Sequence, residues 1–218
     1  MTPQLSPTDY SRYLARLLQA RPELAAEIAA PAALDQATLQ AWLAEAPLTE
    51  DNLKPVLRRL KQRSMMRIAS RDLAGLADLA EVIECMSLLA DMAVATALEV
   101  IEAGLVARYG EPRNATGERQ QLIVVGMGKL GGRELNVSSD IDLIFVYPED
   151  GDTDGTRSIS NFEFFSRVGR GLINALADIT DNGQVFRVDM RLRPNGDSGP
   201  LVCSFDMLEN YFYTQGRE

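Results

Sequence analysis

The sequence predicts an α+β protein, in which an all-helical segment, residues 1–110, precedes a domain of strands and helices, residues 111–218. Two observations lead to this prediction. Apolar residues recur every three or four positions as far as residue 109, without any strand pattern, and short apolar runs closed by glycines begin after Pro112. With 46% apolar residues, a chain of 218 residues can bury a substantial core.

The first half reads as successive helices separated at Pro22, Pro31 and Pro47, because proline is poorly tolerated inside a helix. The longest helix is predicted to be buried and to end near Gly110. Its apolar face is expected to carry Leu76, Leu79, Ile83, Met86, Leu89, Ala93, Ala97, Ile101 and Leu105.

A group of basic residues precedes this long helix: Arg58, Arg59, Lys61, Arg63, Arg67 and Arg71. They are spread around a predicted helix and form no single stripe. This distribution favours a solvated surface over a contact with phosphate or a partner, although the latter stays open.

In the second half, residues 121–126 and 141–147 are predicted to form buried strands. Residues 148–156 read as a loop, residues 158–180 as a helix, and Asn182-Gly183 as a turn. Residues 184–193 alternate strictly, which predicts a strand with a charged face. Its apolar face would carry Phe186, Val188, Met190 and Leu192, and its charged face Arg187, Asp189, Arg191 and Arg193.

Composition excludes several classes of function. A net charge of −9 argues against broad binding to nucleic acid, and the absence of histidine excludes catalysis by histidine from this chain. The most apolar stretch, residues 88–98, is interrupted by Asp91, and no leader precedes it, so we expect a cytoplasmic protein without a membrane span. Cys85 and Cys203 have no metal-site spacing and are expected to be small core residues.

The segment GMGKLGGRELNVSSDIDLIF, residues 126–145, carries the candidate chemistry. Asp140 and Asp142 lie two apart on a predicted strand, so both carboxylates should leave one face. Asp189 can add a third carboxylate from the strand predicted at 184–193. Oxygen ligands alone favour Mg²⁺ or Mn²⁺, and two such ions would suit transfer of a nucleotide phosphate. The alternative for Asp189 is an ion pair with Arg187 or Arg191.

Several neighbouring residues are candidates for binding phosphate. Gly131-Gly132, expected ahead of a short helix, would let backbone N–H groups approach an anion, with Lys129 adding charge. Arg191 and Arg193 are candidate phosphate clamps on the face of Asp189. Arg133 and Glu134 are expected to be solvated helix residues.

Residues 126–145, together with VDMRLRPNGDSGPL at 188–201, resemble bacterial glutamine synthetase adenylyltransferase, a family with adenylyl-transferring and adenylyl-removing activities. The resemblance extends more weakly over about residues 66–217. It implies a nucleotidyltransferase domain of the DNA polymerase beta type, which has a small mixed sheet with helices. Asp140, Asp142 and Asp189 match the family's metal-binding aspartates. Gly131 and Gly132 match its phosphate loop, and Ser139 of the shared motif is expected to bind nucleotide or phosphate.

The residues of these motifs resemble those of the family's N-terminal, adenylyl-removing domain more closely. In that domain, phosphate releases ADP from adenylylated glutamine synthetase. The resemblance also implies the PII signal protein as a regulatory partner, and a family sequence that continues past the end of this chain. ATP-dependent adenylylation of the synthetase, or a regulatory docking module without catalysis, are the alternatives.

Overall fold

The computed structural model describes residues 6–30 and 32–215. Its first half is helical, as predicted, and the described residues before Pro112 contain no strand. The helices are α1 (Pro7–Tyr10), α2 (Arg12–Ala20), α3 (Ala25–Ile28), α4 (Gln36–Leu43), α5 (Glu50–Leu73) and α6 (Leu79–Tyr109). The breaks predicted at Pro22 and Pro47 are confirmed, because Pro22 begins a single 3₁₀ turn (Pro22–Leu24) between α2 and α3, and Pro47 lies between α4 and α5. The break at Pro31 falls outside the described residues.

The long helix α6 has clear signals at both ends. The Asp78 carboxylate accepts a hydrogen bond from the Glu81 N–H at its start, and Gly110, with φ +86°, follows its last residue. Leu76 and Leu79, which the periodicity placed on the buried face, are exposed. The apolar periodicity starts earlier in the sequence than the buried face does, because the helix begins at Leu79 and its first buried residue is Val82.

Four strands form one sheet around β3 (Ile141–Tyr147), which the sequence predicted at these bounds. Strand β2 (Ile123–Met127) pairs antiparallel with one edge of β3. The short strands β5 (Val188–Asp189) and β6 (Val202–Ser204) run parallel to β3 on its other edge. A second, two-stranded sheet joins β1 (Pro112–Asn114) to β4 (Gly151–Thr153). The remaining helices are α7 (Gly128–Gly131), α8 (Asn161–Ala177) and α9 (Phe205–Gln215).

Three expectations about this half are corrected. The strand predicted over 184–193 is limited to Val188–Asp189, because the N–H groups of Val185 and Phe186 bond to the end of α8 and the chain turns after Asp189. Strand β2 is partly exposed, since it is an edge strand with an open face. The loop predicted at 148–156 contains β4, whose partner strand lies about forty residues earlier in the chain.

The basic residues of α5 are mostly structural, so the solvated surface predicted for them is wrong. Arg58 is 1% exposed, although Arg59 is exposed as expected. Arg63 and Arg67 both bind the buried carboxylate of Glu27. The periodicity of α5 could not reveal this, because the partners of these side chains come from other elements.

One hydrophobic cluster spans both halves of the chain. It joins Leu57 of α5 and Leu89 of α6 to Phe145 of β3 and Phe165 of α8. Both cysteines are buried free thiols, as predicted. Across residues 6–30 and 32–215, no helix has the length and apolar character needed to cross a bilayer. The prediction of an α+β fold is confirmed.

Candidate active site

Strands β3 and β5 place two of the predicted carboxylates side by side. Asp142 and Asp189 are register partners on these parallel strands, so their side chains leave the same face of the sheet. Ile141 and Leu143 flank Asp142 on the opposite face and are almost fully buried. The alternation expected along 141–143 therefore holds, and it turns Asp142 away from the core.

Asp142 is partly buried and, within the described residues, its carboxylate neither accepts a hydrogen bond nor forms an ion pair. Its charge, after that of Asp189, helps to raise the pKa of Arg191. Asp142 faces Gly128 at the start of α7. A Cβ at Gly128 would lie 2.5 Å from Asp142 Oδ2, and the φ of Gly128 is +52°. The position therefore favours glycine for two reasons, its backbone conformation and the space that the Asp142 carboxylate occupies. The sequence reasoning missed Gly128, although the glycine spacing of Gly126, Gly128 and Gly131 could have drawn attention to it.

Asp189 is held by Arg191, which is the alternative that the sequence left open. The guanidinium Nε of Arg191 lies 2.8 Å from Asp189 Oδ2, and the backbone N–H of Arg191 donates to Oδ1 at 2.9 Å. These bonds to the charged form lower the pKa of Asp189 below its ordinary value. The Asp189 side chain is 14% exposed, whereas that of Arg191 is mostly exposed, so the arginine covers the carboxylate from the solvent side.

Asp140 lies one residue before β3 and is paired with Arg187. Arg187 Nε donates to Asp140 Oδ1 at 2.6 Å, and the same guanidinium donates to the Ser138 carbonyl at 2.9 Å. Arg187 is the residue immediately before β5. Its ion pair with Asp140 therefore joins the two chain segments that also supply Asp142 and Asp189.

The donor set is that of a hard divalent cation, with only carboxylate oxygens in the group. Asp142 and Asp189 fit such an ion by their register. With Arg187 on Asp140 and Arg191 on Asp189, however, no set of three acidic, cysteine or histidine side chains among the described residues has a metal-holding arrangement. A cation shared by all three aspartates would therefore need the site to rearrange, and the guanidiniums that pair with Asp140 and Asp189 are exposed.

The glycine pair lies at the end of the short helix α7, which corrects the prediction that it precedes a helix. Gly131 is the last residue of α7, and the Gly132 N–H bonds back to the Gly128 carbonyl. A Cβ at Gly131 would lie 2.6 Å from the Gly126 carbonyl oxygen. The glycine at 131 thus permits close packing of α7 against β2. Lys129 is exposed on α7.

The other candidate residues have contacts within the fold. Ser139 donates a hydrogen bond to Asn136 Oδ1 at 2.7 Å. Arg193 is engaged in the loop after β5, where it donates to the carbonyls of Met190 and Gly199. Arg133, expected to be solvated, binds two acidic residues of α6, Glu84 and Asp91. Its role is to attach the loop after α7 to the long helix.

Comparison with known proteins gives a consistent result. A family model described as glutamate-ammonia ligase adenylyltransferase matches residues 8–218. The chain belongs to this family. Three relatives named bifunctional glutamine synthetase adenylyltransferase/adenylyl-removing enzyme show the degree of similarity. The protein from Aromatoleum aromaticum is 61% identical over 95% of the chain, that from Chromobacterium violaceum 56% over 96%, and that from Bordetella pertussis 48% over 96%.

The chain spans about a quarter of the length of these adenylyltransferase relatives, between 22% and 24% for the same three proteins. The similarity therefore concerns one part of each of these relatives. The mixed architecture of small sheets and helices agrees with the nucleotidyltransferase domain that the resemblance implied.

Proposed function

We propose that this chain carries an adenylyl-removing site, which uses inorganic phosphate to release ADP from adenylylated glutamine synthetase. The family and the names of its relatives support a nucleotidyl transfer that involves this synthetase. The motifs at 136–142 and 188–194 support removal of the adenylyl group over its transfer, because their residues resemble those of the N-terminal domain of the family. By the same resemblance alone, the PII signal protein is the proposed regulator.

A single observation carries the proposal: Asp142, in register with Asp189, is partly buried, and among the described residues its carboxylate accepts no hydrogen bond and forms no ion pair. Burying a carboxylate without compensation is costly, so this position favours a bound cation. Asp142 and Asp189, joined by Asp140, are the residues that would hold Mg²⁺ or Mn²⁺. When bound, the metal would neutralise charge on the phosphates.

The chain's own residues would orient the reactants. An oxygen of inorganic phosphate forms a bond to the phosphorus of the adenylyl group, the bond from phosphorus to the tyrosine oxygen breaks, and that oxygen takes up a proton. Arg187 and Arg191, released from Asp140 and Asp189, are placed to pair with phosphate oxygens. Gly128 leaves space for the Asp142 carboxylate beside α7.

The proposal is tested by incubating the chain with adenylylated synthetase, Mg²⁺ and phosphate, and measuring ADP. We expect Asp142→Asn to abolish ADP release and Asp152→Asn to leave it unchanged. Asp152 is a suitable control because it is an exposed strand aspartate of the other sheet, away from this site. Equal activity of the Asp142→Asn variant and the unaltered chain would refute the assignment.

A metal-binding measurement on this chain requires neither turnover nor the synthetase. We expect Mn²⁺ to bind the unaltered chain and Asp152→Asn, as followed by the loss of the free Mn²⁺ electron paramagnetic resonance signal, and to bind Asp142→Asn far more weakly. Transfer of AMP from ATP to unmodified synthetase would instead support the adenylylating reaction. A chain that neither binds Mn²⁺ nor turns over either substrate would support a regulatory docking module.

A further inference from the structure

A pocket of about 790 Å³ lies between the first helices and the loop that precedes Asp140. Its walls come from α1 and α2, from one side of α5, and from residues 137–139 and 182–187. None of the three candidate aspartates lines it. Its size is that of a typical site for a small molecule.

Lys61 of α5 lies in this pocket without an anionic partner. Its ammonium lies 4.1 Å from the centre of the Phe186 ring, and no carboxylate in the described part of the chain pairs with it. Burial lowers the pKa of Lys61 to about 8, so most Lys61 side chains are still charged at neutral pH. A partly buried cation without a counter-charge is the feature expected of an anion site.

The next residue, Gln62, adds a second unsatisfied group to the same wall. Gln62 is 8% exposed, and its Nε2 donates to the Asn182 carbonyl at 3.3 Å. Its Oε1 is buried and, among the described residues, has no hydrogen-bond partner. A buried amide oxygen left unpaired costs free energy, which an ordered water that donates to it would recover.

The pocket also exposes apolar surface. The rings of Tyr10 and Tyr13 and the side chain of Val137 line it and are largely exposed. We infer that this pocket binds a small organic anion, with a phosphate or carboxylate held by Lys61 and an aromatic or apolar body against Tyr10, Tyr13 and Val137. This inference goes beyond the proposed function, since it concerns a second site that the reaction does not need.

The pocket shares a wall with the candidate active site. Ser138, Ser139 and Arg187 line it, and Arg187 is the residue that binds Asp140. A ligand in the pocket therefore contacts the chain immediately before Asp140 without occupying the face of Asp142 and Asp189.

The test uses the three lysines of the chain, Lys54, Lys61 and Lys129. Reductive methylation with ¹³C-formaldehyde gives each dimethyl-lysine its own NMR signal, assigned with Lys61→Met. AMP, benzoate and inorganic phosphate are titrated separately in buffer without divalent ions, so the outcome does not depend on the aspartate site or on turnover.

We expect AMP, benzoate or both to shift the Lys61 signal to saturation, and to raise the pKa that its chemical shift reports, since an anion favours the charged amine. The other titratable or charged groups lining the pocket are Asp72, Arg187 and the phenols of Tyr10 and Tyr13. A shift by AMP alone identifies a phosphate ligand, and a shift by benzoate alone a carboxylate. Inorganic phosphate, which lacks an apolar body, should bind more weakly than either.

A second variant keeps the test decisive if the Lys61→Met variant does not fold. Asp72→Asn removes an exposed negative charge at the pocket wall and should tighten binding about two- to fivefold. Shifts confined to Lys129, shifts of equal size at all three lysines, or no shift of Lys61 with any probe would overturn the inference.

Discussion

At the scale of single residues, the candidate site is defined by which carboxylates have a partner. Asp140 and Asp189 are each paired with an arginine, whereas the Asp142 carboxylate has no ion pair among the residues that the structure describes. The local sequence explains the pair at Asp189, because Arg191 follows it by two residues and its own N–H closes the turn. The pair at Asp140 depends on a residue 47 positions away.

Gly128 gives a residue-scale prediction. Gly128→Ala introduces a Cβ 2.5 Å from Asp142 Oδ2, at a φ of +52°. The backbone should cost about 1–2 kcal/mol of unfolding free energy. Because the contacted atom is the end of a side chain, the Asp142 carboxylate can rotate away, and Mn²⁺ affinity should fall at least tenfold.

Gly75→Ala is the matched control for this variant. Gly75 has a φ of +69°, and a Cβ added there would have no other heavy atom within 4 Å. Gly75→Ala should lose a similar free energy of unfolding, measured by chemical denaturation, and its Mn²⁺ affinity should be unchanged. Equal Mn²⁺ affinities in the two variants would contradict the role assigned to Gly128.

At the scale of elements, α5 connects the helical part of the chain to the sheet. The Arg58 side chain lies where α5 meets the second half of the chain, and it donates to the carbonyls of Ala175 at 2.9 Å and Gly183 at 2.9 Å. It also donates to the carbonyls of Lys54 and Asp178. One buried guanidinium thus donates hydrogen bonds to backbone carbonyls at the end of α8 and in the turn before β5, the strand that carries Asp189.

Replacing Arg58 by methionine should lower the free energy of unfolding by about 3 kcal/mol or more, because several buried carbonyls lose their donor. The same replacement at Arg59, the exposed neighbour, should change it by no more than about 0.5 kcal/mol. Urea denaturation of both variants measures the difference. Similar values for the two would mean that Arg58 does not join these elements.

At the scale of the whole molecule, one core links both halves of the chain. Helix α6 packs against α8, and α8 covers the sheet through Phe145 and Phe165. A Cβ at Gly171 of α8 would lie 3.0 Å from Ile101 Cγ2, which shows how closely the two helices approach.

A shared core predicts shared stability. In native-state hydrogen exchange, the most protected amides of α6 and of β3 should exchange through one opening with the same free energy and the same denaturant dependence. Separate values for α6 and β3, differing by more than about 1 kcal/mol, would instead indicate two units that unfold independently.

The sequence by itself determined what depends on neighbouring residues. The apolar run after Asp140 predicted β3, and the alternation of side chains along it placed Ile141 and Leu143 inside. Periodicity and Gly110 predicted α6 and its end, and the spacing of Asp140 and Asp142 marked the candidate site. These features follow from local geometry, which the chain carries in its order of residues.

Only the tertiary structure decided what depends on distant partners. It shortened the strand around Asp189, because α8 captures the N–H groups of Val185 and Phe186. It gave most of the arginines of α5 structural partners, whereas Lys61 contacts the Phe186 ring and has no ion pair with a described carboxylate. Pairing between segments that are far apart in sequence arises only when the core brings them together, so no local pattern could have shown which charges would be satisfied.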